Sequence, residues 1–252
     1  MVPDTFIHYI PNFLLILLRA SIVIAFLPLF NNKSLPVQFK IGLVLTITLV
    51  LTPLVEFKIQ ENNIPIIVIK EIIFGLAIGI GVRSIFLAIE LAGDAISNAM
   101  GMSIATIFNP DIGQSATIAR LYNIFIVLLF FAMDIHHDII YVFVKSYDLL
   151  PVGEAHIPNL TNDIIELSSK VFEIGIKIGA PVVVGMVITN LLLGFIYKAS
   201  PQINIFFVSL PINLFIGFTI MLITTPILFF FFGEHMSRIK ETMLRIIILV
   251  RG

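Results

Sequence analysis

The sequence predicts an all-α membrane protein, and its composition, its long apolar runs and its few charges support that fold class. Hydrophobic residues make up 58% of the 252 residues, and the mean hydropathy is +1.07. Only 12% of the residues are charged, whereas soluble proteins carry about 25%. Several apolar runs reach the roughly 20 residues that a helix needs to cross a bilayer. We therefore expect one membrane domain over residues 1–252.

The charge balance and the absence of cysteine exclude several classes of function. The net charge is -1, so the sequence offers no basic face for nucleic acid. Because cysteine is absent, the chain has no disulfide, thiolate metal site or cysteine nucleophile. It contains no phosphate loop, dinucleotide fingerprint or zinc-protease motif. We expect no enzyme activity, no cofactor, no bound metal and no nucleic-acid partner.

The first half of the chain contains three apolar runs, at residues 6–30, 41–55 and 64–89. The first run follows a start that lacks the basic residues of a signal peptide, and we expect it to be retained. The second run is short for a membrane span. The third contains Gly75 and Gly79, a small-xxx-small pair that allows helices to approach closely. Such a pair also arises by chance in a glycine-containing apolar helix.

The second half contains further apolar runs, of which residues 203–232 are the most apolar and are broken by Pro211 and Pro226. Residues 233–252 predict an amphipathic tail, because apolar residues recur there at intervals of three and four. Such a seam usually marks a helix packed on a partner or on a membrane surface. The seam consists of Met236, Ile239, Met243, Ile246 and Val250.

Six charged residues interrupt the apolar runs and argue against independent helices surrounded by lipid. A charge at the centre of a lipid-exposed helix costs about 2.5–3.5 kcal/mol, unless protein or water covers it. We therefore expect kinked helical hairpins buried against neighbouring subunits. Glu173 and Lys177 are four residues apart and can pair along one helix face. The six residues are Arg19, Lys70, Glu71, Arg83, Glu173 and Lys177.

A polar stretch at residues 93–120 separates the apolar runs of the two halves. Residues 93–105 are rich in small side chains, which favours a closely packed helix. Residues 106–117 include Pro110 and Gly113, which favour a loop. A loop at membrane depth is stable only where protein buries it or where it lines a cavity. A plain surface loop between two helices is the alternative.

Three patterns resemble catalytic or metal-binding motifs but lack the partners that the chemistry needs. Adjacent His136 and His137 are not expected to face one metal ion from a single helix, and few acids lie nearby. Ser103 has no well-placed histidine base for a serine intramembrane protease. Asp94 lacks the upstream Tyr-Asp pair of an aspartyl intramembrane protease. Catalysis therefore has no support in the sequence.

Four segments, in order along the chain, carry motifs of one known family. They are Ser34-Leu-Pro-Val-Gln-Phe-Lys-Ile-Gly-Leu43, residues 90–111, Leu149-Leu-Pro-Val-Gly153 and residues 190–213. The second is similar to Gly-x-x-Ile-x-x-Gln-x-Gly-x-Ser-x-Ala-x-x-x-Asp-Pro, and the fourth to Asn-x-x-Leu-Gly followed by Pro-Gln. Each motif alone is modest, but together they resemble the FliR family, the flagellar biosynthetic proteins of the type III export gate.

The chain departs from the family pattern at three places. Asn98 stands in place of a glutamine, Asn109 in place of an aspartate, and Asp134-Ile135 in place of Asn-Gly before the histidine. These departures put roles that need those particular side chains in doubt, but not the family resemblance.

The resemblance implies a subunit of a hetero-oligomeric export gate in the bacterial inner membrane, within the flagellar basal body. Family members assemble with FliP and FliQ subunits, and with FlhB associated, around a channel that passes unfolded proteins. Membrane lipid is a further expected partner. The resemblance places a channel plug at Ile107, Phe108, Asn109, Pro110, Asp111, Ile112, Gly113, Gln114 and Ser115. The positions predicted for packing and assembly are Gly75, Gly79, Gly93, Gly101, Glu173, Lys177, Pro201 and Gln202.

Two other functions stay open at this point. An export gate of an injectisome, the SctT type, would share the same motifs. A small-molecule secondary transporter would require an inverted repeat with paired broken helices around a site at the membrane midplane. The sequence has no convincing internal repeat, but the proline and glycine interruptions keep that alternative alive.

Overall fold

The computed structural model describes residues 4–27, 36–55, 64–102, 117–155, 160–202 and 204–251. These ranges contain eight helices and no strand, so the all-α fold class is confirmed for them. In chain order the helices are α1 (Asp4–Phe26), α2 (Val37–Leu51), α3 (Ile64–Ala99), α4 (Thr117–Ala132), α5 (Ile135–Leu149), α6 (Leu160–Ala199), α7 (Ile205–Ser237) and α8 (Ile239–Arg251).

Three helical stretches in the described ranges are long and apolar enough to cross a membrane, at Ile64–Ala99, Ile165–Ala199 and Phe207–Ile248. A bent pair, Ile118–Ala132 and Ile135–Leu149, raises the number to four if it counts as one span. In the most apolar part of Ile64–Ala99, 67% of the residues are buried within the chain. In the corresponding part of Phe207–Ile248, 17% are buried. Helix α3 is therefore a core helix, whereas α7 presents apolar side chains outward.

The first apolar run forms helix α1, which ends at Phe26. Leu27 precedes Pro28, and a proline disfavours the helical conformation of the residue before it. Residues 28–30 lie outside the described residues, so a span over residues 6–30 stays a prediction.

The last apolar run is continuous where the sequence predicts breaks. Helix α7 passes through both Pro211 and Pro226 without ending. Membrane helices tolerate proline because neighbouring helices, hydroxyl side chains and small local adjustments satisfy the backbone groups that it frees. The prediction of a run broken at these two prolines is therefore wrong.

The chain folds into two compact units. The first comprises Met1–Ser84, Phe131–Ser168 and Ser237–Gly252, and the second comprises Ile85–Phe130 and Ser169–Met236.

A buried ion pair lies in the first unit. The side chains of Arg19 on α1 and Glu71 on α3 are 0% and 1% exposed, and Arg19 Nε donates to Glu71 Oε2 at 2.6 Å. Arg19 Nη2 donates to the second carboxylate oxygen at 2.9 Å. Two parallel bonds of this kind are the strong geometry for an arginine and a carboxylate. The two charges therefore find their partners inside the chain, and not in neighbouring subunits as predicted.

The remaining donors of Arg19 bind α5 and the residue that follows it. Arg19 Nη1 donates to Ser146 Oγ at 3.2 Å, and both terminal nitrogens lie 3.4 Å from the Leu150 carbonyl oxygen. The guanidinium carbon lies 4.6 Å from the ring centre of Phe74 and 4.3 Å from that of Tyr147, within cation–π range. One side chain thus joins α1, α3 and α5.

The turn after α5 is attached to the same group of residues. The Gly153 N–H donates to Glu71 Oε1 at 3.1 Å, and the Gly153 carbonyl accepts from Lys70 Nζ at 3.0 Å. Gly153 has a φ of 87°, a conformation that glycine adopts without the steric cost of a Cβ. Lys70 and Glu71, both unexpected in an apolar run, therefore fix this turn to α3.

Gly75 and Gly79 lie where α3 approaches α1. A Cβ added to Gly75 would lie 3.2 Å from Ile22 side-chain atoms, and one added to Gly79 would lie 2.8 Å from Phe26. These short distances show that α3 and α1 approach each other as closely as small residues permit.

The C-terminal helix α8 packs its apolar seam on the chain itself. Met236, Ile239, Met243, Ile246 and Val250 are all buried, and α8 contacts α5. Ion pairs flank the seam, with Lys240 Nζ 3.1 Å from Asp138 Oδ1 and Arg245 Nη2 3.4 Å from Glu166 Oε2. The amphipathic pattern is confirmed. Its expected docking surface is wrong, because the seam residues are already buried within the chain.

The second unit contains the end of α3 together with α4, most of α6 and most of α7. Phe86 on α3 makes edge contacts with Phe130 and Phe232, at ring-centre distances of 5.9 and 6.5 Å. Asn213 Nδ2 on α7 donates to Asn190 Oδ1 on α6 at 3.0 Å. Aromatic packing and an interhelical polar contact of this kind hold membrane helices together.

Candidate functional site

The candidate site is the junction in the second unit where the chain leaves α3 and returns as α4. The described residues stop at Met102 and resume at Thr117. The predicted plug residues, Ile107, Phe108, Asn109, Pro110, Asp111, Ile112, Gly113, Gln114 and Ser115, therefore lie outside the described residues. The structure describes the end of α3 and the start of α4, which flank that segment. We call these two helix ends, with the residues that pack on them, the frame.

The exit from α3 is a helix-terminating motif built on Gly101. The Gly101 N–H donates to the Asn98 carbonyl at 3.1 Å, and the Met102 N–H donates to the Ser97 carbonyl at 3.0 Å. Gly101 has a φ of 76°. These two bonds and the left-handed residue form a Schellman motif, which ends a helix and satisfies its last carbonyls. Gly101, predicted as a packing position, therefore ends helix α3.

The return helix lies directly against α3. A Cβ added to Gly93 would lie 2.4 Å from Ala119 Cα and 2.7 Å from its backbone nitrogen. Backbone atoms cannot move aside as a flexible side chain can, so only glycine fits at position 93 in this arrangement. The start of α4 is thus placed within van der Waals contact of α3, eight residues before Gly101.

A side-chain hydrogen bond joins the two ends as well. Ser97 Oγ on α3 accepts from the Ile118 N–H at 3.3 Å, and both residues are buried. The first N–H groups of a helix have no partner within that helix, so Ser97 caps α4 from a neighbouring element. The sequence reasoning did not single out Ser97, because its partner is 21 residues away and no local pattern marks it.

Helix α7 closes the frame from another side. Met100 is fully buried, and a Cβ added to Gly217 would lie 2.6–2.8 Å from Met100 side-chain atoms. Leu210 Cδ2 lies 3.7 Å from the position of a Cβ on Gly101. The last turn of α3 is therefore held by α7 as well as by α4.

Helix α6 contacts α3 through a glycine pair that the sequence analysis missed. A Cβ added to Gly175 would lie 2.8 Å from the Ala88 carbonyl oxygen, and one added to Gly179 would lie 3.6 Å from Ala92. Gly175 and Gly179 are four residues apart, the same spacing as Gly75 and Gly79. That spacing was a readable signal, since small residues at this interval mark close helix contacts.

The other predicted assembly positions lie on exposed surface of the chain. Lys177 Nζ lies 2.5 Å from Glu173 Oε1, with side-chain exposures of 54% and 57%. Pro201 and Gln202 form an exposed turn after α6. The pairing of Glu173 with Lys177 agrees with their spacing, but within this chain the pair is not buried. Its role in assembly stays a prediction.

The histidine pair is closer to a metal-binding geometry than the sequence argument allowed. Donor atoms of Asp134, His136 and His137 all lie within 4.8 Å of one another. Asp134 has a φ of 55° at the N-cap of α5, and its Oδ1 lies 3.6 Å from His137 Nδ1. The expectation that His136 and His137 do not face one centre is therefore wrong in its geometry, because the group forms at a helix start. Two of the three side chains are largely exposed, and such groups are common without an ion.

Comparison with known proteins gives the frame a family context. The family described as Bacterial export proteins, family 1, matches residues 10–239. The chain is 26% identical to the flagellar biosynthetic protein FliR of Bacillus subtilis (strain 168) over 257 residues, which cover 98% of each chain. It is 27% identical to the protein of that name from Escherichia coli (strain K12) over 240 residues, covering 92% of this chain and 90% of the relative. It is 29% identical to the protein of that name from Pectobacterium carotovorum subsp. carotovorum over 233 residues, covering 88% of this chain and 87% of the relative.

Proposed function

Because the chain belongs to the bacterial export proteins, family 1, we propose that it is a membrane-embedded subunit of the flagellar protein export apparatus. The resemblance to the FliR family seen in its sequence is confirmed by that membership. The names of its relatives favour a flagellar system over an injectisome. The role is mechanical, since the family is one of export proteins and the candidate site is a structural junction.

Within that role, residues 107–115 act as the plug of the export channel. The observation that carries this proposal is the junction of Gly93 with Ala119 and of Ser97 with Ile118. It holds the end of α3 and the start of α4 against each other, so the helices on either side of residues 103–116 pack together without any contribution from that segment.

The proposed partners are FliP- and FliQ-like subunits, with an FlhB-like subunit and unfolded substrate proteins. Support comes from the large apolar area that the chain leaves uncovered on α6 and α7. Phe195, Phe207, Phe215 and Leu222 are each at least 70% exposed. Exposed apolar surface on this scale is covered by lipid or by other subunits. We place the complex in the inner membrane, at the flagellar basal body.

Deletion of Phe108 to Ser115 tests the plug. We expect the variant to assemble with its partner subunits at wild-type yield, because the junction at Gly93 and Ser97 lies outside the deletion. We expect proteoliposomes containing the complex to leak small solutes, measured as release of a trapped dye. An intact barrier in a fully assembled deletion complex would remove the plug assignment, whereas purification as a stable monomer would remove the assembly role.

A further inference from the structure

Outside the proposed export site, an apolar groove lies between α1 and α2 in the first unit. It encloses about 390 Å³, within the range of small-molecule sites. Its α1 side is Leu17, Ser21, Ile24 and Ala25, and its α2 side is Lys40, Ile41, Val44 and Leu45. The α1 residues extend over about 12 Å at a helical rise of 1.5 Å per residue.

Lys40 is the charged group of this groove, and it is not neutralised by the residues that the structure describes. It is the only charged residue of α2. Within the described ranges it has no ion pair or hydrogen-bond partner. The other cation on the neighbouring helix, Arg19, is buried and occupied by Glu71. The groove therefore combines apolar walls with one half-buried, uncompensated positive charge.

The surroundings of the groove favour an occupant from the bilayer. Both helices are rich in apolar residues, over Asp4–Phe26 and Val37–Leu51. Beyond the groove, α2 exposes Leu49 and Val50, which suits contact with lipid. A helix is about 10 Å across and would not fit within a cavity of this volume, whereas a single hydrocarbon chain would.

We propose that the groove between α1 and α2 binds an anionic phospholipid, with one acyl chain against the apolar walls and the phosphate at Lys40. An acyl chain gains little in this groove over the bilayer, so the charge at Lys40 provides the selection. A single lysine near anionic lipid contributes about 1 kcal/mol, which corresponds to roughly a fivefold preference. This site is independent of the plug and does not rest on the export role.

Native mass spectrometry of the full chain in detergent, with dioleoyl phosphatidylglycerol or dioleoyl phosphatidylcholine added, tests the proposal. We expect the wild type to retain phosphatidylglycerol about fivefold better than phosphatidylcholine. Lys40→Gln removes that preference. Lys198→Gln is the matched control, because Lys198 is exposed at the end of α6, outside the groove, and it keeps the preference.

A second pair of variants tests the apolar walls. Ala25→Phe fills the groove and lowers retention of both lipids, whereas Leu49→Phe, on an exposed part of α2, leaves retention unchanged. If Ala25→Phe does not fold, as judged by circular dichroism and gel filtration, the Lys40 and Lys198 variants decide alone.

Several results would overturn the site. One is that the wild type retains the two lipids equally or retains neither. Another is that Lys40→Gln and Lys198→Gln show the same preference for phosphatidylglycerol. Normal retention in folded Ala25→Phe would also overturn it, since the head group would then be held without the groove. The chain has no cysteine, so Ala25→Cys carries a unique photocrosslinker. A protein crosslink from this position in the assembled complex would assign the groove to a partner subunit and not to lipid.

Discussion

Removal of one charge from the Arg19–Glu71 pair should destabilise the chain far more than removal of both. Arg19→Met leaves a buried carboxylate whose remaining hydrogen-bond partner among the described residues is the Gly153 N–H. Glu71→Gln leaves a buried guanidinium between Phe74 and Tyr147. Breaking a buried pair by removing one partner costs about 3–5 kcal/mol, because the other charge stays desolvated. We expect each single variant to fall in that range.

The double variant separates the interaction from the positions themselves. In Arg19→Met combined with Glu71→Gln, no buried charge remains, and the glutamine oxygen can still accept from Gly153. We expect the double variant to cost less than either single variant, which gives a coupling of more than about 3 kcal/mol. If the cost of the double variant equals the sum of the two single costs to within about 0.5 kcal/mol, the pairing is refuted.

Circular dichroism during titration with sodium dodecyl sulfate, starting from a mild non-ionic detergent, measures these free energies. The chain contains no tryptophan, so intrinsic tryptophan fluorescence cannot serve. The matched control is Glu173→Gln, which breaks an ion pair on exposed surface. We expect a much smaller effect there, since exposed pairs are screened by solvent. Equal effects at Glu71 and Glu173 would contradict the reasoning.

Three further predictions use the same titration. Gly93→Ala should cost about 1–3 kcal/mol, because its Cβ would overlap Ala119 backbone atoms; Gly42→Ala, with nothing within 4 Å, is the control, and equal effects would argue against the close junction. Met243→Ala should cost about 2–5 kcal/mol through a cavity under α8, whereas Ile248→Ala, 60% exposed, should change stability by less than about 0.5 kcal/mol. Ser97→Ala should cost about 1 kcal/mol through the lost bond to the Ile118 N–H; Ser84→Ala, whose hydroxyl binds a carbonyl of its own helix, should cost less, and the reverse order would contradict the capping role.

Local patterns in the sequence predict the elements whose packing is periodic. The three-and-four spacing of the tail predicts the buried seam of α8, and the four-residue spacing of Gly75 and Gly79 predicts the approach of α3 to another helix. The same rule applied to Gly175 and Gly179 would have found the contact of α6 with α3. In each case the pattern identifies the face that packs but not the element that covers it.

Contacts between distant residues could not be predicted in this way. Glu71 lies 52 residues after Arg19, and the sequence shows only that both charges need cover. Proline at positions 211 and 226 is a strong local signal for a break, but the surroundings of α7 override it. The acceptor role of Ser97 depends on where α4 begins, which the sequence does not specify to within one residue.

The buried arginine also constrains the order in which the chain can enter a membrane during synthesis. Arg19 is made 52 residues before Glu71 and 127 residues before Ser146. Until α3 is present, α1 carries a charge that costs about 2.5–3.5 kcal/mol in a lipid environment. Helix α1 is therefore poorly suited to stable insertion on its own. Its lasting insertion depends on the later arrival of α3, so the first 80 or so residues should enter the bilayer as a group.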